Sequence, residues 1–170
     1  MEIKTNLKEI GIIAQNKQEE NDGFSLFLKQ QSHTNIDSLV FRLNEEITPQ
    51  IDCTQCGNCC KTLMIQVDPI ELKHLSAALQ ISERQFEDAY IEKGCSGKML
   101  INTIPCHFLS ENKCSVYEHR FSSCREFPAL HLPQITSRLF TIFMHYDRCP
   151  IIFNVIEALK QELSFTMNER

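Results

Sequence analysis

The fold is organised around the segment C-T-Q-C-G-N-C-C, which occupies residues 53–60. Its pattern is C-x2-C-x2-C-C. Two thiolates separated by two residues can hold one metal ion, because a tight turn brings both sulfurs to about 2.3 Å from zinc. Gly57 favours such a turn, since it has no side chain to clash. Cys59 and Cys60 are neighbours whose side chains tend to diverge. The segment therefore predicts either two metal sites or one larger cluster.

Four further cysteines follow this segment and bring the set to eight. Eight thiolates divide into two four-coordinate sites, and both structural zinc and iron–sulfur clusters are commonly held by four. The predicted metal ligands are Cys53, Cys56, Cys59, Cys60, Cys106, Cys114, Cys124 and Cys149. The ninth cysteine, Cys95, lies between two glycines in an expected loop and is predicted to be a free thiol without a ligand role.

Two other uses of such cysteines compete with metal binding. Cysteine can serve as a small buried hydrophobe, but a packing role would place four apolar residues on a turn that also bears Gln55 and Asn58. Catalytic dithiol exchange uses the same two-residue spacing. The additional flanking cysteines fit a ligand set better than either alternative.

Several residues near the later cysteines are candidates for a supporting role. His107 and His119 could ligate a metal, although a lone histidine is more often a surface or hydrogen-bonded residue. Arg120 and Arg125, with Tyr117 beside them, are more suggestive. A guanidinium can donate hydrogen bonds to thiolate sulfur and offset the negative charge of a cysteine-rich site.

Catalysis finds little support among the charged residues. Asp52, Glu118 and Glu126 lie near cysteines, but such carboxylates are usually solvated, and no pair is convincing as an acid and a base. The sequence therefore leaves enzymatic activity open and predicts no catalytic residue.

Composition excludes several classes of protein. The 170 residues carry a formal net charge of −5, with Lys and Arg scattered along the chain, so nucleic-acid binding is not expected. No apolar run approaches the roughly 20 residues that span a bilayer, so no membrane insertion is expected. The first 20 residues lack the apolar core of a secretory signal. We expect a cytoplasmic protein, in which thiols stay reduced and dense cysteines indicate metal or redox chemistry.

The hydrophobic pattern predicts a mostly helical chain. Helices are expected over residues 3–20, 24–28, 37–46, 69–79, 83–91 and 151–163, with Asn21-Asp22-Gly23 breaking the first two apart. Capping boxes at Asp68 with Glu71 and at Ser82 with Gln85 mark two helix starts. Extended structure is expected over residues 63–67, 98–117 and 139–144, with a turn at residues 110–113.

The cysteine pattern resembles a known family. It joins C-T-Q-C-G-N-C-C to P-C-H-F-L at residues 105–109, C-S-V-Y-E-H-R at 114–120, C-R-E-F-P at 124–128 and R-C-P at 148–150. Together these motifs resemble the YkgJ-like cysteine-cluster (CxxCxxCC) family of zinc- or iron-chelating domains, over residues 52–159. The family commonly has proline where Phe121 stands, which should alter a turn and not the metal count.

The resemblance implies the same eight cysteine ligands and leaves Cys95 outside the pattern. Flagellin lysine methylases contain a similar cluster and look like iron–sulfur enzymes, so an enzymatic use is open. The leading hypothesis is a protein that chelates zinc or iron, or holds a [4Fe–4S] cluster. The alternatives are an iron–sulfur methyltransferase or redox enzyme, and a metallochaperone or metal sensor.

We expect an α+β fold rich in helices, with a small antiparallel sheet or hairpin carrying the middle cysteines. An N-terminal helical segment, residues 1–50, should pack on a cysteine-cluster domain formed by residues 51–170.

Overall fold

The structure is a computed structural model that describes residues 2–95 and 97–167. It confirms the α+β class, with helices dominant and a small antiparallel sheet. The helices are α1 Leu7–Asn16, α2 Gln18–Lys29, α3 His33–Ile47, α4 Cys53–Cys56, α5 Asn58–Thr62, α6 Pro69–Ala78, α7 Glu83–Tyr90, α8 Ser122–Glu126, α9 Leu139–Met144 and α10 Pro150–Glu162. The strands are β1 Gln66–Val67, β2 Ile91–Lys93, β3 Met99–Ile101, β4 Leu109–Ser110 and β5 Lys113–Cys114. Short 3-10 helices occur at Thr48–Gln50, Tyr117–His119 and Ile135–Ser137.

The chain divides into two compact units. The helical unit combines Met1–Asp52 with Pro128–Arg170, and the cysteine unit is the continuous stretch Cys53–Phe127. The cysteine unit is thus inserted in sequence between the two pieces of the helical unit. The expected packing of residues 1–50 on a domain of residues 51–170 stays a prediction.

Helix α10 is the centre of the helical unit. It is buried on all sides from Pro150 to Ala158, apart from Glu157, and it packs mainly against α3. A helix without a polar face must be enclosed by its neighbours. The helix expected over residues 151–163 is confirmed.

Two expectations for the helical unit are wrong. Asn21-Asp22-Gly23 does not break a helix, since it lies inside α2, and the chain bends at Lys17 instead. Residues 139–144 form helix α9 and not a strand. Its buried residues are Leu139 and Ile142, three apart, whereas Phe140 is 83% exposed. A spacing of three belongs to a helix, in which residues three apart lie on the same face.

The cysteine unit has an apolar core of its own. Eight buried side chains form it: Ile65, Val67, Leu72, Leu75, Phe86, Ile101, Phe108 and Phe121. Three cysteines, Cys106, Cys114 and Cys124, pack against this cluster from the outside. The apolar core therefore supports these three cysteines and helps to fix their positions.

Local signals correctly predict helices α6 and α7 of this unit, whereas the short helices α4, α5 and α8 were not predicted. Both capping boxes are present, with Asp68 and Glu71 at the start of α6 and Ser82 and Gln85 at the start of α7. Strand β3 lies between β1 and β2, antiparallel to each, with Leu100 opposite Gln66 and Glu92.

Strands β4 and β5 form the expected hairpin. Leu109 pairs with Cys114, and Ser110 pairs with Lys113. The two residues between the strands, Glu111 and Asn112, have φ angles of 47° and 66°. Two successive positive φ angles define a type I′ turn, whose twist matches that of a hairpin. The turn predicted at residues 110–113 is confirmed.

Among the described residues, the helices are all too short or too polar to cross a membrane.

Candidate metal centre

The C-x2-C-x2-C-C segment folds into two short helices joined by Gly57. Helix α4 carries Cys53 and Cys56, and α5 carries Cys59 and Cys60. Gly57 has a φ of 56°, in the left-handed region that glycine adopts without strain, and its N–H donates to the Cys53 carbonyl at 3.1 Å. Gly57 thus separates the two short helices that carry the two pairs of thiols.

Gly57 also lies directly against the β4–β5 hairpin. A Cβ atom at this position would stand 2.7 Å from the carbonyl oxygen of Asn112. Only a residue without a side chain permits this approach of the two backbones. The hairpin turn is therefore held against the first cysteine segment, and Cys114 lies at the end of β5 nearby in sequence.

A backbone hydrogen bond connects the first cysteine segment to Cys106. The Cys106 N–H donates to the Cys60 carbonyl at 2.8 Å, and the Cys106 carbonyl accepts from the Leu109 N–H at 3.0 Å. Cys106 is therefore fixed both to α5 and to the start of the hairpin.

Cys124 is positioned by a carboxylate on a distant helix. Glu71 of α6 accepts from the Asp68 N–H at 3.2 Å, which completes the capping box, and its other oxygen accepts from the Ser122 N–H at the start of α8. The Arg125 guanidinium lies 3.4 Å from the same oxygen. One carboxylate thus caps α6 and holds the turn of helix that bears Cys124.

Six of the predicted ligands line one cavity. Its volume is about 70 Å³, and the thiols on its wall are Cys53, Cys59, Cys60, Cys106, Cys114 and Cys124. The apolar part of the wall comes from Ile65, Phe108, Val116 and Phe121, and Arg120 is the cation that lines it. The structure therefore gathers thiols from four separate segments of chain around a single space.

The cavity thiols influence one another electrostatically. Burial, followed by the nearby Cys106, Cys59 and Cys114, raises the pKa of Cys124 to about 12. Burial also raises the pKa of Cys106, and Cys114 and Cys59 add to this increase. Cys106 and Cys124 thus favour the protonated thiol, because burial and closely spaced negative charges disfavour the thiolate, and the charge of Arg120 offsets this only in part at Cys124.

Cys59 and Cys60 form a hydrogen-bonded pair with sulfurs 4.0 Å apart. The hydrogen bond from Cys60 lowers the pKa of Cys59 to about 6, whereas the same bond together with burial raises the pKa of Cys60. In a tetrahedral zinc site with bonds of 2.3 Å, two sulfurs stand about 3.8 Å apart. The present spacing is close to that value.

Two predicted ligands do not line this cavity. Cys56 lies on α4 in the same motif, half-buried. Cys149 belongs to the helical unit, where it is 6% exposed at the start of α10 and its N–H donates to the His145 carbonyl. Cys95 is exposed in the connection between β2 and β3. None of the nine cysteines, all within the described residues, forms a disulfide.

The two candidate histidines are placed away from the cavity wall. His107 is exposed, with its Nε2 atom 2.7 Å from Asn102 Oδ1 and its ring against Tyr90. His119 is exposed in a 3-10 helix. In the described part of the chain, neither lines the cavity that the six thiols share.

The two candidate arginines make different contacts. Arg120 lines the cavity, and its guanidinium lies over the Tyr117 ring at 4.1 Å. Arg125 instead pairs with Glu71 and donates to the Arg120 carbonyl. Arg120 therefore faces the thiols, whereas Arg125 supports the backbone that carries it.

Phe121 occupies a backbone conformation that proline itself adopts. Its φ is −61°, and the preceding Arg120 has the extended ψ of 148° that a following proline requires. The Phe121 ring is 2% exposed and packs 6.4 Å from the Phe108 ring. The substitution therefore adds a ring to the core and lines the cavity with it.

The donor set fits zinc or iron by its chemistry, since soft thiolates suit both zinc and iron–sulfur clusters. Over residues 2–95 and 97–167, no three Cys, His, Asp or Glu side chains are yet gathered around a point suited to a metal ion.

Sequence reasoning did not find the second function of Glu71. The capping box reveals its bond to Asp68, but the bonds to Ser122 and Arg125 span 51 and 54 residues. No local pattern signals such contacts. The same holds for Asn112, whose approach to Gly57 becomes visible only in three dimensions.

The chain belongs to the CxxCxxCC family. The family model, described as "Putative zinc- or iron-chelating domain", matches residues 52–149, which is more than half of the chain. The match begins one residue before Cys53 and ends at Cys149. Membership supports metal binding as the general function. No curated protein and no solved structure matches the chain significantly.

Proposed function

We propose that this protein binds zinc or iron through the thiolates of its cysteine unit. The observation that carries the proposal is the single cavity lined by six cysteines from four segments of chain. A packing role for these residues would not require that six of them line one cavity. Family membership supports the same chemistry.

The number of thiols favours a centre with more than one metal atom. One tetrahedral zinc ion takes four thiolates, as does one iron–sulfur cluster. Six thiols on one wall exceed that number, and the proposed set of eight matches two four-coordinate sites. Two metal ions, or one metal ion beside a [4Fe–4S] cluster, would use the full set.

Cys56 and Cys149 are the remaining two ligands of the proposal. Cys56 belongs to the same motif as three cavity thiols, and the family match extends as far as Cys149. Both lie outside the cavity wall, so their substitution should cost less metal than that of a cavity thiol.

The thiols of the cavity must lose their protons when they bind a metal ion. Burial and mutual repulsion raise the pKa of Cys106 and Cys124. A bound cation reverses this effect, because it stabilises the thiolate directly. Metal binding should therefore release protons and couple to folding of the cysteine unit.

We also infer a reducing compartment such as the cytoplasm. None of the nine cysteines forms a disulfide. Closely spaced thiols such as Cys59 and Cys60 would be open to oxidation outside such a compartment.

The experiment is metal and sulfide analysis of the full chain purified without oxygen. Stoichiometric zinc without colour would identify a zinc centre, and iron with sulfide and a visible chromophore would identify a cluster. Cys106→Ser should lose metal, whereas Cys95→Ser, a matched change at an exposed cysteine, should retain it. Metal-free wild-type protein that takes up neither zinc nor iron on reconstitution would refute the proposal.

A further inference from the structure

Arg120 is a partly buried cation that has no acidic partner among the described residues. It lines the six-thiol cavity and takes part in none of the ion pairs found between residues 2–95 and 97–167. Arg125, five residues later, pairs with Glu71 in the same region. A half-buried guanidinium is rarely left without a counter-charge, because its desolvation is otherwise uncompensated.

The Tyr117 ring fixes the position of this cation. The guanidinium carbon of Arg120 lies 4.1 Å from the ring centroid, within the range of a cation–π interaction. Both residues line the cavity. The stacking leaves the edge of the guanidinium, which carries its N–H donors, available to an anion.

The backbone of this segment is held separately from its side chain. The Arg120 carbonyl accepts from Arg125, which is anchored on Glu71. Among the described residues, this anchoring uses the carbonyl of Arg120 and not its guanidinium. Its positive charge acts on the thiols of Cys59 and Cys124, where it lowers the pKa.

We infer that Arg120, held by Tyr117, is the counter-charge of the thiolate centre and sets its affinity for metal. Four thiolates around a divalent ion leave a net charge of −2, and an adjacent guanidinium compensates part of that charge. The inference rests on the proposed metal-binding function and adds a residue that does not itself ligate the metal.

The test measures metal affinity by competition with a chelator of known affinity, with zinc as the probe, on the full chain. Arg120→Gln should weaken zinc binding by about tenfold to a hundredfold, the usual cost of losing a supporting partner. Arg120→Lys keeps the charge and should recover most of the affinity. Arg125→Gln is the matched control for the fold of the segment, because it removes the arginine that holds the Arg120 carbonyl but does not line the cavity, and it should weaken zinc binding by clearly less than Arg120→Gln does.

A second pair of variants tests the positioning by Tyr117. Tyr117→Leu removes the ring and should weaken zinc binding by less than Arg120→Gln does, whereas Tyr117→Phe keeps the ring and should bind as the wild type does. The unfolding midpoint of each metal-free variant is recorded, and loss of affinity should not follow loss of stability.

The outcomes separate this inference from the proposed function. Wild-type protein that binds no zinc and no iron overturns both. Wild-type binding with an unchanged Arg120→Gln variant overturns the inference alone. Equal losses in the Arg120→Gln and Arg125→Gln variants also overturn it, since the effect would then come from the fold of the segment and not from a charge at the cavity.

Discussion

The N–H of Cys106 donates a hydrogen bond to the carbonyl of Cys60 at 2.8 Å, across 45 intervening residues. This bond joins the C-x2-C-x2-C-C segment to the later half of the cysteine set before any metal is involved. The scaffold of the cavity is therefore built by the backbone, and the thiols are carried on it.

The close approach of Gly57 to the hairpin predicts that adding one methyl group at this position strongly destabilises the cysteine unit. Gly57→Ala places a Cβ 2.7 Å from the Asn112 carbonyl oxygen and forces an alanine to a φ of 56°. Removing a required left-handed glycine and forcing a backbone clash should destabilise the cysteine unit by about 2 kcal/mol or more. Denaturant unfolding measures this change, and zinc affinity should fall with it.

Gly11→Ala is the control for that substitution. Gly11 lies inside α1, and nothing stands within 4 Å of its added Cβ. Alanine in a helix interior should stabilise the protein by roughly 0.5–1 kcal/mol. Equal effects of the two substitutions would contradict the packing of Gly57 on the hairpin.

The shared carboxylate of Glu71 predicts a link between helix capping and the metal centre. Glu71→Gln keeps the size of the side chain but loses one acceptor and the charge that pairs with Arg125. An unsatisfied partly buried donor costs about 1–3 kcal/mol. We expect lower stability and weaker zinc binding, because α8 bears Cys124.

The second capping box provides the comparison. Gln85→Ala removes the equivalent partner of Ser82 at the start of α7, where the bonds between the two residues stay within the capping box. It should cost about 1 kcal/mol of stability without changing zinc affinity. A loss of zinc affinity in this variant as large as that of Glu71→Gln would show that capping alone is responsible.

The burial of Phe121 predicts a large loss on truncation. Phe121→Ala should destabilise the protein by about 3–5 kcal/mol, since it empties a core position. Phe121→Pro should lose no more stability than Phe121→Ala does, because the backbone at residue 121 already has a conformation that proline adopts. Phe140→Ala, at a phenylalanine that is 83% exposed, should change stability by less than about 0.5 kcal/mol. Thermal unfolding of the three variants decides the point.

The depressed pKa of Glu157, in the helical unit, predicts that the protein loses stability in acid. Burial acts to raise the pKa of Glu157, but hydrogen bonds from Lys160 and Lys17 outweigh it and hold the pKa below its ordinary value. A depressed pKa contributes stability that is complete above the unfolded value of about 4.3 and is lost as the pH falls through the folded value. Unfolding measured from pH 7 down to pH 3 should show this decline.

Glu157→Gln should flatten that decline and lower stability at pH 7. Lys160, 5% exposed, would keep Glu20 as its remaining carboxylate partner. Loss of charge-assisted hydrogen bonds to a largely buried group costs about 2–3 kcal/mol. Glu46→Gln breaks an exposed pair with Arg42 on α3 and should change stability by less than about 1 kcal/mol. An unchanged acid response in Glu157→Gln would contradict the assignment.

Local chemistry was sufficient to predict the helix starts and the hairpin. The capping boxes at Asp68 and Ser82 act within three residues, and the turn at residues 110–113 depends on its own conformations. The period of a six-residue apolar segment was not sufficient, so α9 was mistaken for a strand. Asn21 also misled, because its bond to Lys160, 139 residues away, is what allows it to lie buried inside α2.

The candidate site was predictable in its residues and not in its arrangement. The sequence names the cysteines, but it does not indicate that six of them share one cavity while Cys56 and Cys149 lie outside its wall. It also groups Arg120 with Arg125, whose neighbours differ. These distinctions depend on contacts between segments that are far apart in the chain.

The continuity of Cys53–Phe127 has a consequence for inheritance. Because this unit is one uninterrupted stretch of chain, a single insertion or deletion in the gene could add, remove or exchange it. The helical unit, which is split into two pieces, could not be transferred as one fragment without carrying the insert. A transferred insert would bring every thiol of the cavity and would leave Cys149 behind.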